Sequence, residues 1–197
     1  KNLVAYFSAS GVTRDVASKL NGLVGGDLFE IVPEEKYSSE DLDWTNNESR
    51  SSIEMNDSNS RPKISSKIED ISQYDRIFIG YPVWWYTFPR IINTFLEEYN
   101  FSGKEIVPFC TSGSSGIGSA SNDIAKIVPD AKVLEGIRLS KSSSDEEIKA
   151  WLETLSKDFL SLFLFPLDPK IENCHFYIKS YNLFKSCSFI LKEVPWS

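Results

Sequence analysis

Four short apolar runs, Leu3–Phe7, Leu28–Val32, Arg76–Gly80 and Glu105–Cys110, punctuate the first 110 residues, and a fifth, less apolar run follows at Lys132–Arg138. Continuous runs of this length, rich in Val, Ile and Phe, suit strands covered on both faces, because a strand with one wet face alternates polar and apolar residues. Helical patterns fill the spaces between them. Thr13–Val24 places Val16, Ala17, Leu20 and Val24 on one stripe, and Pro89–Tyr99 opens with proline near the first helical position and gathers Ile91, Ile92, Phe95 and Leu96. Ser119–Val128 ends against Pro129, while Ser144 and Glu147 form a capping box that opens Asp145–Leu155. Strands that alternate with helices specify a parallel sheet with helices on both faces, since each parallel pair needs a crossover.

In such a sheet ligands bind outside the carboxyl ends of the strands, so the loops after each strand carry the functional information. The first reads Ser8-Ala9-Ser10-Gly11-Val12-Thr13. It collects three hydroxyls, a glycine and the positive end of a helix dipole, a combination suited to a phosphate. It has no Gly-x-x-x-x-Gly-Lys-Ser/Thr run and no Gly-x-Gly-x-x-Gly fingerprint, which leaves a terminal monophosphate. By itself the turn also fits a plain helix cap, with Ser10 or Thr13 satisfying the helix's own N–H groups.

The second loop, Tyr81-Pro82-Val83-Trp84-Trp85-Tyr86-Thr87-Phe88-Pro89, carries five large aromatic residues beyond the strand end, four of them between two prolines that restrict the chain. Two adjacent tryptophans do not easily both point inward, so at least one is expected to face a ligand. The third loop, Thr111-Ser112-Gly113-Ser114-Ser115-Gly116-Ile117-Gly118, offers three glycines for close backbone approach and four hydroxyls. A phosphate grip, flat rings and polar backbone contacts on one edge match FMN, which has one phosphate, one tricyclic ring and a polar ring edge.

These three segments make the chain resemble a flavodoxin over roughly residues 2–157. The stretch Arg50…Glu54…Arg61-Pro62 after Trp44 resembles one bacterial branch of that family. The resemblance implies a five-stranded parallel sheet in the order 2-1-3-4-5 between two helical layers. It implies the FMN phosphate at Ser8, Ala9, Ser10, Gly11, Val12 and Thr13. It implies the ring between Pro82, Val83, Trp84, Trp85 and Tyr86 on one side and Thr111, Ser112, Gly113, Ser114, Gly116 and Gly118 on the other. One departure stands out: relatives often have a glycine near the second loop, where a peptide flips on flavin reduction, and Pro82–Phe88 has none. The activity implied is electron transfer between redox partner proteins. The alternative is an NAD(P)H-dependent FMN or quinone reductase of the same fold.

Other classes fit poorly. A phosphoacceptor receiver needs an acidic magnesium site after the first strand, where Ser8-Ala9-Ser10 stands. A Ser-His-Asp hydrolase would need its histidine near that edge, and the only one is His175. Cys110, Cys174 and Cys187 show no Cys-x-x-Cys spacing, so no metal site or disulfide framework is expected, and Cys110 reads as a buried structural thiol. The net charge of −7 argues against nucleic acid and anionic membranes and for basic docking partners. The sparse cysteines make a reducing cytoplasm the expected compartment, no apolar run approaches the roughly 20 residues of a membrane span, and a monomer is expected. The first residue is Lys1 rather than methionine, which leaves room for a removed leader.

Two segments break the pattern. Residues 33–63 form a long polar excursion, expected to be packed rather than free because it contains Trp44 and Met55. Residues 158–197 are aromatic-rich, with no helical stripe and no strand–helix alternation, and contain the aggregation-prone window Phe159–Phe165. They are set apart as an appendage to a domain of residues 1–157.

Overall fold

Strand β1 (Asn2–Tyr6) pairs in parallel with β2 (Gly26–Glu30) on one side and β3 (Arg76–Pro82) on the other, and β3 continues into β4 (Glu105–Thr111). The computed structural model describes residues 1–161; most of the 158–197 appendage, with Cys174, His175 and Cys187, lies outside the described residues. The strand order is β2-β1-β3-β4-β5, with β5 at Lys132–Val133. This is the order 2-1-3-4-5 expected from the resemblance. Among the described residues no helix is long and apolar enough to cross a membrane.

Alternation along each buried strand splits the core in two. Leu3, Ala5 and Phe7 join Ile77, Ile79 and Tyr81 on one face, covered by α3 (Arg90–Glu98) and α4 (Ala120–Ile127). Val4, Tyr6, Phe78, Val107 and Phe109 face the other way, under α1 (Val12–Val24) and α5 (Asp145–Ser161). The stripe Ile91, Ile92, Phe95 and Leu96 on α3 is fully buried; each such side chain contributes about 1.5–3 kcal/mol relative to leaving it exposed. Strand β2 starts two residues earlier than the apolar run suggests, and Leu28 is 41 % exposed. An edge strand has a neighbour on one side only, so apolar content alone misjudged its cover.

The fifth strand is also where expected, but broken. β5 pairs Val133 with Ile106, and a second piece, β6 (Ile137–Arg138), pairs Ile137 with Phe109. Four steps along the edge thus match three along β4, which is a bulge. The cause is Pro108. The carbonyls of Lys104, Ile106 and Cys110 all accept bonds from the edge strand; Pro108, in the same phase, has no N–H to offer that side. Gly136 fits against it, because a Cβ there would collide with the Pro108 carbonyl and the Ile117 side chain.

The excursion after β2 is closed at its base by a Pro33–Ile64 bridge, with Glu34 N–H donating to Lys63 O and Ser65 N–H to Val32 O at 2.8 Å each. It contains a short helix that the sequence pattern did not reveal, α2 (Arg50–Asn56), N-capped by Ser49. Met55 is buried as expected, whereas Trp44 is 74 % exposed and anchors nothing.

Two stability predictions follow from the sheet. Gly80 lies opposite Phe109, and a Cβ on it would overlap the Phe109 ring. Gly80→Ala should destabilise the fold by about 1–3 kcal/mol, the usual cost of overpacking a tight core, as read by urea unfolding. At the strand starts, Arg76, Glu105 and Lys132 stand in register, with Arg76 Nε 2.8 Å and Lys132 Nζ 3.2 Å from the Glu105 carboxylate. Burial pushes that carboxyl up, but the Arg76 and Lys132 bonds outweigh it and hold it below the usual range. Its contribution is therefore present above an unfolded value of about 4.3 and fades as pH falls below it. The urea midpoint of the native chain should fall more steeply between pH 5 and 3 than that of Glu105→Gln.

Candidate functional site

The loops after β1, β3 and β4 meet at the carboxyl edge of the sheet, and Thr111 is their junction. Its carbonyl accepts from Val83 N–H at 2.9 Å, and its Oγ1 lies 2.8 Å from Thr13 Oγ1 in a fully buried contact. The first loop is joined to β3 directly, by Phe7 N–H donating to Gly80 O at 2.9 Å.

In the first loop Ser8 Oγ accepts from the amides of Gly11 and Arg14, at 3.1 and 3.2 Å. Gly11 precedes α1 with a φ of 89° and supplies no side-chain cap. The amides of Ser10, Val12 and Thr13 find no acceptor among the described residues. The loop is therefore not the self-capped helix start that Ser10 or Thr13 could have made: Ser10 is exposed and Thr13 Oγ1 turns to Thr111. Three N–H donors at a helix N-terminus are an anion-binding arrangement. Ala9 is half-buried and packs against the core, and Val12 is exposed.

The second loop separates its two tryptophans. Trp84 turns inward and meets Phe7 and Tyr37 edge-on, at 5.7 and 5.4 Å between ring centres. Trp85 is 41 % and Tyr86 83 % exposed. Trp84 and Thr87 exchange both backbone bonds at 2.9 Å, and the two residues between them have φ values of 46° and 64°. A tight turn with both central residues left-handed is the kind normally filled by Asn-Gly. Two aromatic residues hold this strained conformation, Trp85 partly and Tyr86 largely in solvent, and strain of that sort gathers at ligand sites. Pro82 ends β3, and Val83 packs partly on the core.

The third loop lies against this turn: a Cβ on Gly118 would stand 3.5 Å from Tyr86 O. Ser112 Oγ donates to Ser115 O, and Arg138 Nη1 to Gly113 O at 3.4 Å. Gly113, Ser114 and Gly116 are exposed, with open space around both glycines. Below the loop Cys110 is fully buried, and burial pushes its thiol up to about 11, which leaves it unreactive at neutral pH.

The excursion reaches this site through a cluster of which the sequence motif contains Arg50, Glu54 and Arg61 but neither Tyr37 nor Arg90. Glu54 Oε2 accepts from Tyr37 Oη at 2.5 Å and Glu54 Oε1 from Arg50 Nε at 2.8 Å; the Arg50 guanidinium lies 4.1 Å above the Tyr37 ring. Arg90, at the start of α3, donates to the Glu54 and Met55 carbonyls, and Arg61 forms a two-pronged ion pair with Glu97 at 2.8 Å. The i, i+4 spacing of Arg50 and Glu54 was the signal available for α2.

A flavodoxin family model matches residues 1–155. Among solved structures, the chain is 51 % identical to a protein from Bacteroides eggerthii DSM 20697 described as a flavoprotein, covering 79 % of this chain and 98 % of that one with a TM-score of 0.76. A second such protein, from Bacteroides uniformis ATCC 8492, is 46 % identical over 78 % and 97 %, with a TM-score of 0.74. A flavoprotein from Lactobacillus acidophilus NCFM, solved in complex with FMN, is 25 % identical over 77 % and 98 %, with a TM-score of 0.61. No match was found among curated proteins.

The strained turn yields a direct test. Tyr86→Gly should stabilise the ligand-free chain by about 0.5–1 kcal/mol, because glycine adopts the left-handed conformation without steric cost. Urea unfolding at neutral pH measures it.

Proposed function

The chain belongs to the flavodoxin family, and on that premise we propose that it is an electron carrier that shuttles electrons between redox partner proteins through FMN. FMN is the cofactor, and the observation that carries the assignment is the convergence of the three loops on Thr111. The donors fit the group. The free amides of Ser10, Val12 and Thr13, with the Ser8 and Ser10 hydroxyls beside them, would hold the phosphate. The exposed rings of Trp85 and Tyr86 would face the flat ring system, and the open backbone of Gly113–Gly116 would meet its polar edge.

Bound FMN supplies the redox chemistry. The protein positions it and sets the electrostatic surroundings. Residues 1–159 carry a net charge of −8. An excess of carboxylates opposes further negative charge on the molecule, which favours passing electrons on. It also steers the protein toward basic partner surfaces, with association weakening as salt rises. The reading includes action as a monomer in the cytoplasm, since a carrier must diffuse between donor and acceptor.

Titration of the purified chain with FMN should quench flavin fluorescence at one equivalent and leave a yellow protein. Ser8→Ala, which removes a hydroxyl donor to the phosphate and the acceptor that orders the Gly11 and Arg14 amides, should weaken binding about tenfold, the effect of one hydrogen bond. A chain that ignores FMN would sink the proposal. Sustained NADPH oxidation with a quinone and no added reductase would assign the reductase activity in place of the carrier one.

A further inference from the structure

The cluster on the excursion, a buried Glu54 between half-buried Tyr37 and Arg50, is more elaborate than the attachment of a surface loop requires. Glu54 is 8 % exposed, and its carboxylate has both oxygens occupied, one by Tyr37 and one by Arg50. Arg50 is used three ways: it bonds Glu54, donates to Glu35 O at 2.8 Å and covers the Tyr37 ring. The ring is thus fixed from its face and at its hydroxyl, and burial, with the Glu54 bond, raises the phenol above its ordinary range so that it stays a neutral donor. The excursion is already fastened elsewhere, by the Pro33–Ile64 bridge, the Arg61–Glu97 pair and Arg90 on the α2 carbonyls. What the cluster adds is the placement of one ring edge, at 5.4 Å and 83° against Trp84. Trp84 also meets Phe7, the residue that leads into the Ser8–Thr13 turn, and Phe7 meets Tyr37 in turn, so the three rings pack pairwise edge-on. It is also the first residue of the strained turn that presents Trp85 and Tyr86.

We propose that Tyr37, Arg50 and Glu54 are positioning residues for the cofactor site: they clamp Trp84 and thereby hold the Trp84–Thr87 turn in its left-handed conformation. A turn whose central residues are strained persists only where its surroundings over-determine it. A ring locked by a filled carboxylate and a stacked guanidinium is such a surrounding, because no member of the cluster can move without leaving a buried polar group unpaired. No glycine stands between Pro82 and Phe88 to relieve the turn, and neither Trp85 nor Tyr86 adopts this conformation unaided, so the clamp is necessary. The inference rests on the FMN reading for its consequence, but not for the state of the turn.

The experiment compares the full chain with Tyr37→Leu, Glu54→Gln and Arg61→Gln. Two readouts are taken: FMN affinity by fluorescence quenching, and the indole N–H resonances of Trp84 and Trp85 without FMN. Tyr37→Leu and Glu54→Gln should each weaken FMN binding about tenfold and shift both indole resonances. Arg61→Gln, which cuts the ion pair that ties the excursion to α3, should lower the melting temperature while leaving affinity within twofold and the resonances in place. Unmoved resonances in folded Glu54→Gln would overturn the proposal. So would equal effects of Arg61→Gln, which would mean that general attachment, not the clamp, is at work. If the unmodified chain does not bind FMN, the functional reading fails while the indole resonances still decide the clamp.

Discussion

Every strand of the sheet runs the same way, so each must be followed by a connection that carries the chain back to the starting edge. That constraint places all the strand-to-helix turns on one edge, and it buries both sheet faces under the returning helices. The site is a consequence. Three segments far apart in sequence arrive side by side because β1, β3 and β4 are adjacent and in phase. The Thr13–Thr111 contact, across 98 residues, exists only through that register. A slip of one residue would turn Phe109 away from Gly80 and break the site at the same time.

The connection after β2 departs from this rule. Instead of a long helix it makes an excursion with a paired base and one short helix, held to α3 by two arginines. Within the excursion, breaking the largely buried Arg50–Glu54 pair is costly because it strands the partner charge, so that contact fixes geometry more than it adds net stability. In this protein the geometry fixed is that of Trp84. The excursion therefore belongs to the site although it contributes none of its outward-facing loops.

Legibility varied for physical reasons. The buried central strands and the helices after them were readable to within a residue or two, because burial on both faces leaves a long apolar run and burial on one leaves a stripe. Edge elements were not. Leu28 is apolar yet exposed, and the final strand is broken by a proline on its neighbour, not by any residue of its own. Helix α2 was missed because seven residues with two adjacent serines show little periodicity, and its stability comes from Ser49, Arg90 and the Glu54 contacts. Trp44 was expected to pack because of its size, but a large ring buries itself only where the fold supplies a surface.

The sequence by itself determined the doubly wound sheet, the positions of the three loops, and their chemical character as anion grip, aromatic face and open polar backbone. These are local properties, set by side-chain periodicity and by which residue types tolerate turns. Only the tertiary structure decided which tryptophan turns inward, that Thr13 spends its hydroxyl on Thr111, and that Tyr37, Arg50 and Glu54 converge on Trp84. Those outcomes depend on contacts between segments tens of residues apart, and such contacts are fixed by strand order and register.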